Sequence, residues 1–220
     1  MSNSEGSDYD RLFYPFLFEG EKVSPNEVLA QVQHSTLEKC QEIIALRRTV
    51  LKESGQQIIT TGRAMAEAFK RGATLLAFGN GGSTTDAQDI VTELLNPHDP
   101  TWPALPAIAL TNDIAVITAV GNDVGFNNIF TRQVIAFGRP GDIALGISTS
   151  GNSTNILATF EQAKKQGLLT IAMAGYDGGK VAKSKAVDYC LVTPSDHIPR
   201  IQEAQATTYH ALLEIIAALM

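Results

Sequence analysis

From Asn26 to Arg71 apolar residues recur at three- and four-residue spacing (Leu29, Val32, Leu37, Ile43, Ile44, Leu51, then Ile58, Ile59, Ala64, Ala68), with polar residues between them. That is the period of an amphipathic helix. Ser54-Gly55 interrupts it, so the pattern predicts two helices with a break there. After Arg71 the texture changes. Five short apolar runs follow, at Thr74–Phe78, Ala107–Leu110, Ile143–Ile147, Leu169–Ala174 and Tyr189–Val192, most of them separated by a segment of helical character. Short apolar strands alternating with helices predict a parallel sheet covered on both faces. A helix from about Pro199 to Leu219 closes the chain. Pro97, Pro100, Pro103 and Pro106 make the link between the first two strands irregular.

The expected architecture is therefore α/β: a doubly wound, five-stranded parallel sheet of flavodoxin-like order 2-1-3-4-5, preceded by the N-terminal helices. We divide the chain into an extension, residues 1–24, and one domain, residues 25–220. In that strand order the first and third strands are neighbours, and the crevice beyond their carboxyl ends is where ligands bind. The first strand runs into Gly79-Asn80-Gly81-Gly82-Ser83 and the third into Ser148-Thr149-Ser150-Gly151-Asn152-Ser153, each opening directly into a helix. Glycines expose successive backbone N–H groups, hydroxyls add donors, and a helix N-terminus adds partial positive charge. Two such turns suit a phosphate monoester carrying polyol groups. Ordinary strand-to-helix turns with Ser153 as a cap are the alternative. Neither turn has the third glycine of a dinucleotide fingerprint or the Gly-Lys-Ser/Thr of a Walker loop.

On the helix after Ser83, Ala87, Ile90, Val91, Leu94 and Leu95 form the core stripe and Asp86, Asp89 and Glu93 an acidic one. The acidic stripe is either a solvated face or a proton-transfer group beside the phosphate loops. Gln202 and His210, eight residues apart on the last helix, are close enough to line one cavity wall.

Composition narrows the classes further. The 220 residues carry a net charge of −6 and no run of Lys or Arg, which argues against direct nucleic-acid binding. Cys40 and Cys190 have no metal or CxxC spacing and read as thiols of a reducing compartment. Residues 1–9 lack the features of a signal peptide, and no 18-residue apolar stretch occurs, so the expected location is cytoplasmic and off the membrane. An aromatic cluster, Tyr9, Phe13, Tyr14, Phe16 and Phe18, is expected to seek a partner surface.

Taken together, Gly79–Glu93, Gly121–Phe130, Gly141–Ser153, Gly175–Ala182 and Arg200–Glu203 followed by His210 resemble the sugar isomerase (SIS) domain family and, within it, the phosphoheptose isomerases. The resemblance implies an aldose–ketose isomerase. It would convert D-sedoheptulose 7-phosphate to D-glycero-D-manno-heptose 7-phosphate through an enediol, for heptose biosynthesis. It implies that Ser83, Ser148, Thr149, Ser150 and Ser153 hold the phosphate, that Asn80, Gly81, Gly82 and Asp113 lie near the sugar, and that Glu93 and His210 move protons. Gln202 would contact substrate or metal. A homotetramer with interfacial active sites is implied too, the N-terminal helices serving oligomerisation. So is Zn²⁺, on Asp89, Glu93, Gln202 and His210, although Asp89 stands where many members have His. Leu95-Asn96-Pro97 replaces the usual Gly-Arg, and Pro199 an Asp. Two alternatives stand beside it: a non-catalytic binding protein of the kind that associates with a replication initiator, although such relatives generally lack the Glu and late His kept here as Glu93 and His210, and, from the altered Asn96-Pro97, an isomerase of another ketose phosphate.

Overall fold

The computed structural model describes residues 24–220, so the aromatic cluster at Tyr9–Phe18 lies outside the described residues. The elements are α1 (Pro25–Lys70), β1 (Leu75–Gly79), α2 (Gly82–Leu95), β2 (Ala107–Ala109), α3 (Ile114–Asp123), α4 (Thr131–Phe137), β3 (Ile143–Ser148), α5 (Thr154–Lys165), β4 (Leu169–Gly175), α6 (Gly179–Ala182), β5 (Tyr189–Thr193) and α7 (Ile198–Leu219). Glu42–Met220 packs as one compact unit, and the packing below concerns it alone.

The break expected at Ser54-Gly55 is absent: α1 is a single 46-residue helix. Val50, Ser54, Ile58, Thr61, Met65 and Phe69 are buried along it, a three- and four-residue stripe that runs through the interruption. One glycine costs such a helix only about 1 kcal/mol relative to alanine, and the buried stripe outweighs it.

The sheet order is β2-β1-β3-β4-β5, all parallel, as the alternation predicts. Side chains of a strand alternate between faces, and the two cores divide on that rule. Leu75, Ala77, Leu145, Ile147, Ile171 and Met173 face α1, α2 and α7. Leu76, Phe78, Ala144 and Ala172 face α4 and α5, where Phe78 lies between Phe130 and Phe160 at centroid distances of 5.7 and 5.3 Å. Because β1 pairs with β3 up to Gly79↔Ile147, the two Gly/Ser-rich turns leave the sheet side by side. No helix among the described residues is long and apolar enough to cross a membrane.

Candidate active site

The turn after β3 is fixed by its own backbone and by the segment after β4. Gly151 N–H donates to Ser148 O, Val181 N–H to Gly151 O, and Gly175 N–H to Thr149 O, at 3.1, 2.9 and 3.0 Å. Asn152 Nδ2 donates to Ser150 O, and Asn152 Oδ1 accepts from Lys180 N–H. Gly151 has φ +62°, and a Cβ there would lie 2.2 Å from Gly178 O, so no other residue fits. This is why Gly175–Ala182 belongs to the site: it props the turn from behind.

Ser153 occupies the N-cap position of α5 but makes no side-chain cap bond; its hydroxyl instead meets Ser148 Oγ at 3.2 Å. α2 likewise begins at Gly81 with no side-chain cap. Two helix N-termini without a side-chain cap thus stand at adjacent strand ends; at α2 the Ser83 and Thr84 N–H groups already donate to Asn80 O and Gly81 O, at 3.1 and 3.0 Å. Unsatisfied N–H groups at a helix start attract an anion. Asn80 and Asn155 join the turns through a reciprocal amide pair, both bonds 2.9 Å. Asp113 caps α3 by accepting from Val116 N–H at 3.0 Å.

The second group of residues lies between α2 and α7, which run parallel. Gln202 closes on Gly82, where a Cβ would fall 2.0 Å from its Nε2, so the glycine makes room for the amide. Further along, the Tyr209 hydroxyl donates to Asp89 Oδ2 at 2.6 Å, and His210 Nε2 sits 3.9 Å from Asp89 Oδ2 and 3.8 Å from Glu93 Oε1. Burial, then the bond to Asp89, pushes the Tyr209 phenol up. Asp86 is not on a solvated face: its Oδ2 is buried without a partner among the described residues, and burial followed by the charge of Asp89 pushes its carboxyl up to about 6. Gln205, fully buried on α7, has neither amide atom paired among the described residues. The stripe reading could not show that, because Gln205 lies on the inward face of a helix judged from Gln202 and His210.

The sequence leaves the acidic stripe either solvated or beside the phosphate turns, and the structure sets Glu93 apart from them. It lies eleven residues beyond Gly82 on the same helix, which is about 16 Å along the axis. Asp86, one turn in, is the first carboxylate along α2. A residue not anticipated from the sequence, His98, brings Nδ1 to 3.6 Å from Glu93 Oε2. The signal was a lone histidine in the proline-rich link just past Glu93.

Of the four zinc ligands that the resemblance implies, His210 lies within 3.9 Å of both Asp89 and Glu93, whereas Gln202 stands apart. Among the described residues no three His, Cys, Asp or Glu side chains converge as a metal site. Asp89 Oδ2 is engaged by Tyr209, and Gln202 lies at Gly82, about 10 Å along the helix from Asp89. The four side chains as they stand do not form one ligand set, and no chemical step is routed through a metal.

Residues 40–175 match the profile of the SIS domain. The chain is 50% identical over 143 residues to the phosphoheptose isomerase of Sulfurimonas denitrificans, covering 65% of this chain and 72% of the relative. It is 41% identical over 176 residues to that of Solidesulfovibrio magneticus, covering 80% and 85%. The solved phosphoheptose isomerase from Francisella tularensis superposes with a TM-score of 0.80 at 36% identity, over 85% of this chain and 98% of that one. The chain belongs to the SIS domain family, among the phosphoheptose isomerases.

Proposed function

We propose that the protein interconverts D-sedoheptulose 7-phosphate and D-glycero-D-manno-heptose 7-phosphate. The observation that carries this is the pair of uncapped helix N-termini at adjacent strand ends, in a chain that also sets Glu93 beside His210. The 7-phosphate docks on Ser83, Ser148, Thr149, Ser150 and Ser153, with Asn80, Gly81, Gly82 and Asp113 next to the polyol. Anchoring a remote phosphate orients the reacting end, an effect of roughly 7 kcal/mol or more for well-placed groups. Glu93 takes the proton from C1, leaving a C1–C2 enediol, and returns it to C2, while His210 carries the hydroxyl proton from O1 to O2. No atom is gained or lost, and the carbonyl has moved by one carbon.

A homotetramer with active sites between copies is part of the proposal. Two observations support it. Glu93 and the turns stand at opposite ends of α2, and the apolar side chains of Leu29, Val32, Leu37, Ile44, Leu51 and Ile59 on α1 remain exposed in the single chain. A cytoplasmic setting accords with two free thiols, Cys40 and Cys190.

The test is turnover of a panel of C5–C7 ketose phosphates by wild type, Glu93→Gln and His210→Gln, with added Zn²⁺ and with a chelator. Wild type turning over the heptose phosphate, and both variants losing it, is the expected result. Equal activity in all three would end the assignment of roles, and preference for a shorter ketose would replace the substrate. A zinc requirement would mean that Gln202 leaves Gly82 to join Asp89, Glu93 and His210.

A further inference from the structure

The two carboxylate oxygens of Glu93 are met by different imidazoles. His210 Nε2, from α7, stands 3.8 Å from Oε1, and His98 Nδ1, from the link between α2 and β2, stands 3.6 Å from Oε2. Glu93 is about one quarter exposed and His98 largely so, which by itself makes their contact weak. The link, however, does not leave His98 free to wander. Leu105 N–H donates to Leu94 O at 2.7 Å, tying the far end of the link back onto α2. Asp99 Oδ1 accepts from both the backbone N–H and the hydroxyl of Thr101, at 2.8 and 2.6 Å, and Trp102 N–H donates to Asp99 O. Trp102 then sets its ring edge-on to the His98 imidazole, centroids 4.9 Å apart and planes at 66°. Pro97, Pro100 and Pro103 restrict the backbone between these ties.

A glutamate used as a base against carbon must keep one rotamer, and its side chain forfeits conformational entropy in doing so. A partner presented from a pinned loop lowers that cost where a mobile one would not. From this geometry we infer that His98 is a positioning residue for Glu93. It holds Oε2 so that Oε1 faces His210 and the substrate carbon, and Trp102 in turn holds His98. The inference rests on the role given to Glu93 under the proposed function.

The experiment compares wild type, His98→Ala and His98→Gln in turnover of sedoheptulose 7-phosphate, with thermal melting alongside. His98→Ala is expected to lower kcat roughly tenfold or more, since small misplacements of a reacting group are costly. KM should stay within about twofold, because the phosphate anchors elsewhere, and the melting temperature should be unchanged. His98→Gln, which restores a polar nitrogen at similar reach, should recover most of kcat. Wild-type kcat in His98→Ala, a parallel loss in KM and melting temperature, or no recovery in His98→Gln would each overturn the inference. A second arm needs no substrate: carbodiimide-driven labelling of Glu93, read by peptide mass spectrometry. Faster labelling in His98→Ala than in wild type supports the contact and equal rates refute it, whichever sugar phosphate the wild type proves to use.

Discussion

Replacing Asp86 by Asn should stabilise the protein near neutral pH and have no effect in acid. The Asp86 carboxyl is half-buried, with Oδ2 sealed from solvent and unpartnered among the described residues, and burial together with Asp89 moves it from an ordinary 3.8 to about 6. A folded-state value above the unfolded one means that the native protein holds the extra proton between those two values. Stability from this group is therefore full below 3.8 and is lost as pH rises through about 6. The shift corresponds to about 3 kcal/mol before screening, and solvent reaching the other oxygen reduces that to about 1–2 kcal/mol. Asparagine carries no charge at any pH, so Asp86→Asn gains this amount above pH 6 and nothing below 4. For a chain of this length that is an increase of about 3–6 °C in melting temperature at pH 7.5. Paired calorimetric melts at pH 7.5, 5 and 4 read the difference, and other titrating groups cancel between the two proteins. A gain equal at all three values, or none at pH 7.5, would refute the argument.

Gly151→Ala places a Cβ 2.2 Å from Gly178 O at a φ of +62°, which strains the turn by roughly 1–3 kcal/mol; KM for the sugar phosphate should rise at least tenfold in steady-state kinetics. Tyr209→Phe removes the 2.6 Å bond to Asp89, worth about 1–2 kcal/mol on a half-exposed carboxylate, and should lower the urea midpoint while leaving the denaturant slope unchanged. Leu51→Asp puts a charge on an exposed apolar side chain of α1; if copies associate through that helix, light scattering should show smaller particles, and an unchanged mass would count against that interface.

The sheet was legible because each strand is largely apolar, as Ile143–Ile147 and Leu169–Ala174 are, and because a buried parallel sheet needs the intervening helices. The turns were legible from their glycines and hydroxyls, since strand order alone brings Gly79 and Ser148 together. What local pattern misjudged was distance and direction. A break at Ser54-Gly55 follows from propensity, yet the burial of Val50, Ser54 and Ile58 on one side carries the helix through. Glu93 shares a helix with the turns, yet the rise per residue sets it at the far end. Asp86 read as solvated or catalytic by stripe alone; only the packing of α7 over it decides. His98 was out of reach because the return of its link depends on the bond between Leu105 and Leu94, which no spacing encodes.

The reciprocal amide pair of Asn80 and Asn155 has a consequence for which sugars the protein accepts. Each amide gives and receives one bond, so neither can rotate without breaking both, and the turns after β1 and β3 are locked at one separation. The groove behaves as a fixed gauge for the stretch between phosphate and hydroxyls. A ketose phosphate shorter by a carbon would keep its phosphate seated and present the wrong carbon to the base, failing in kcat more than in KM.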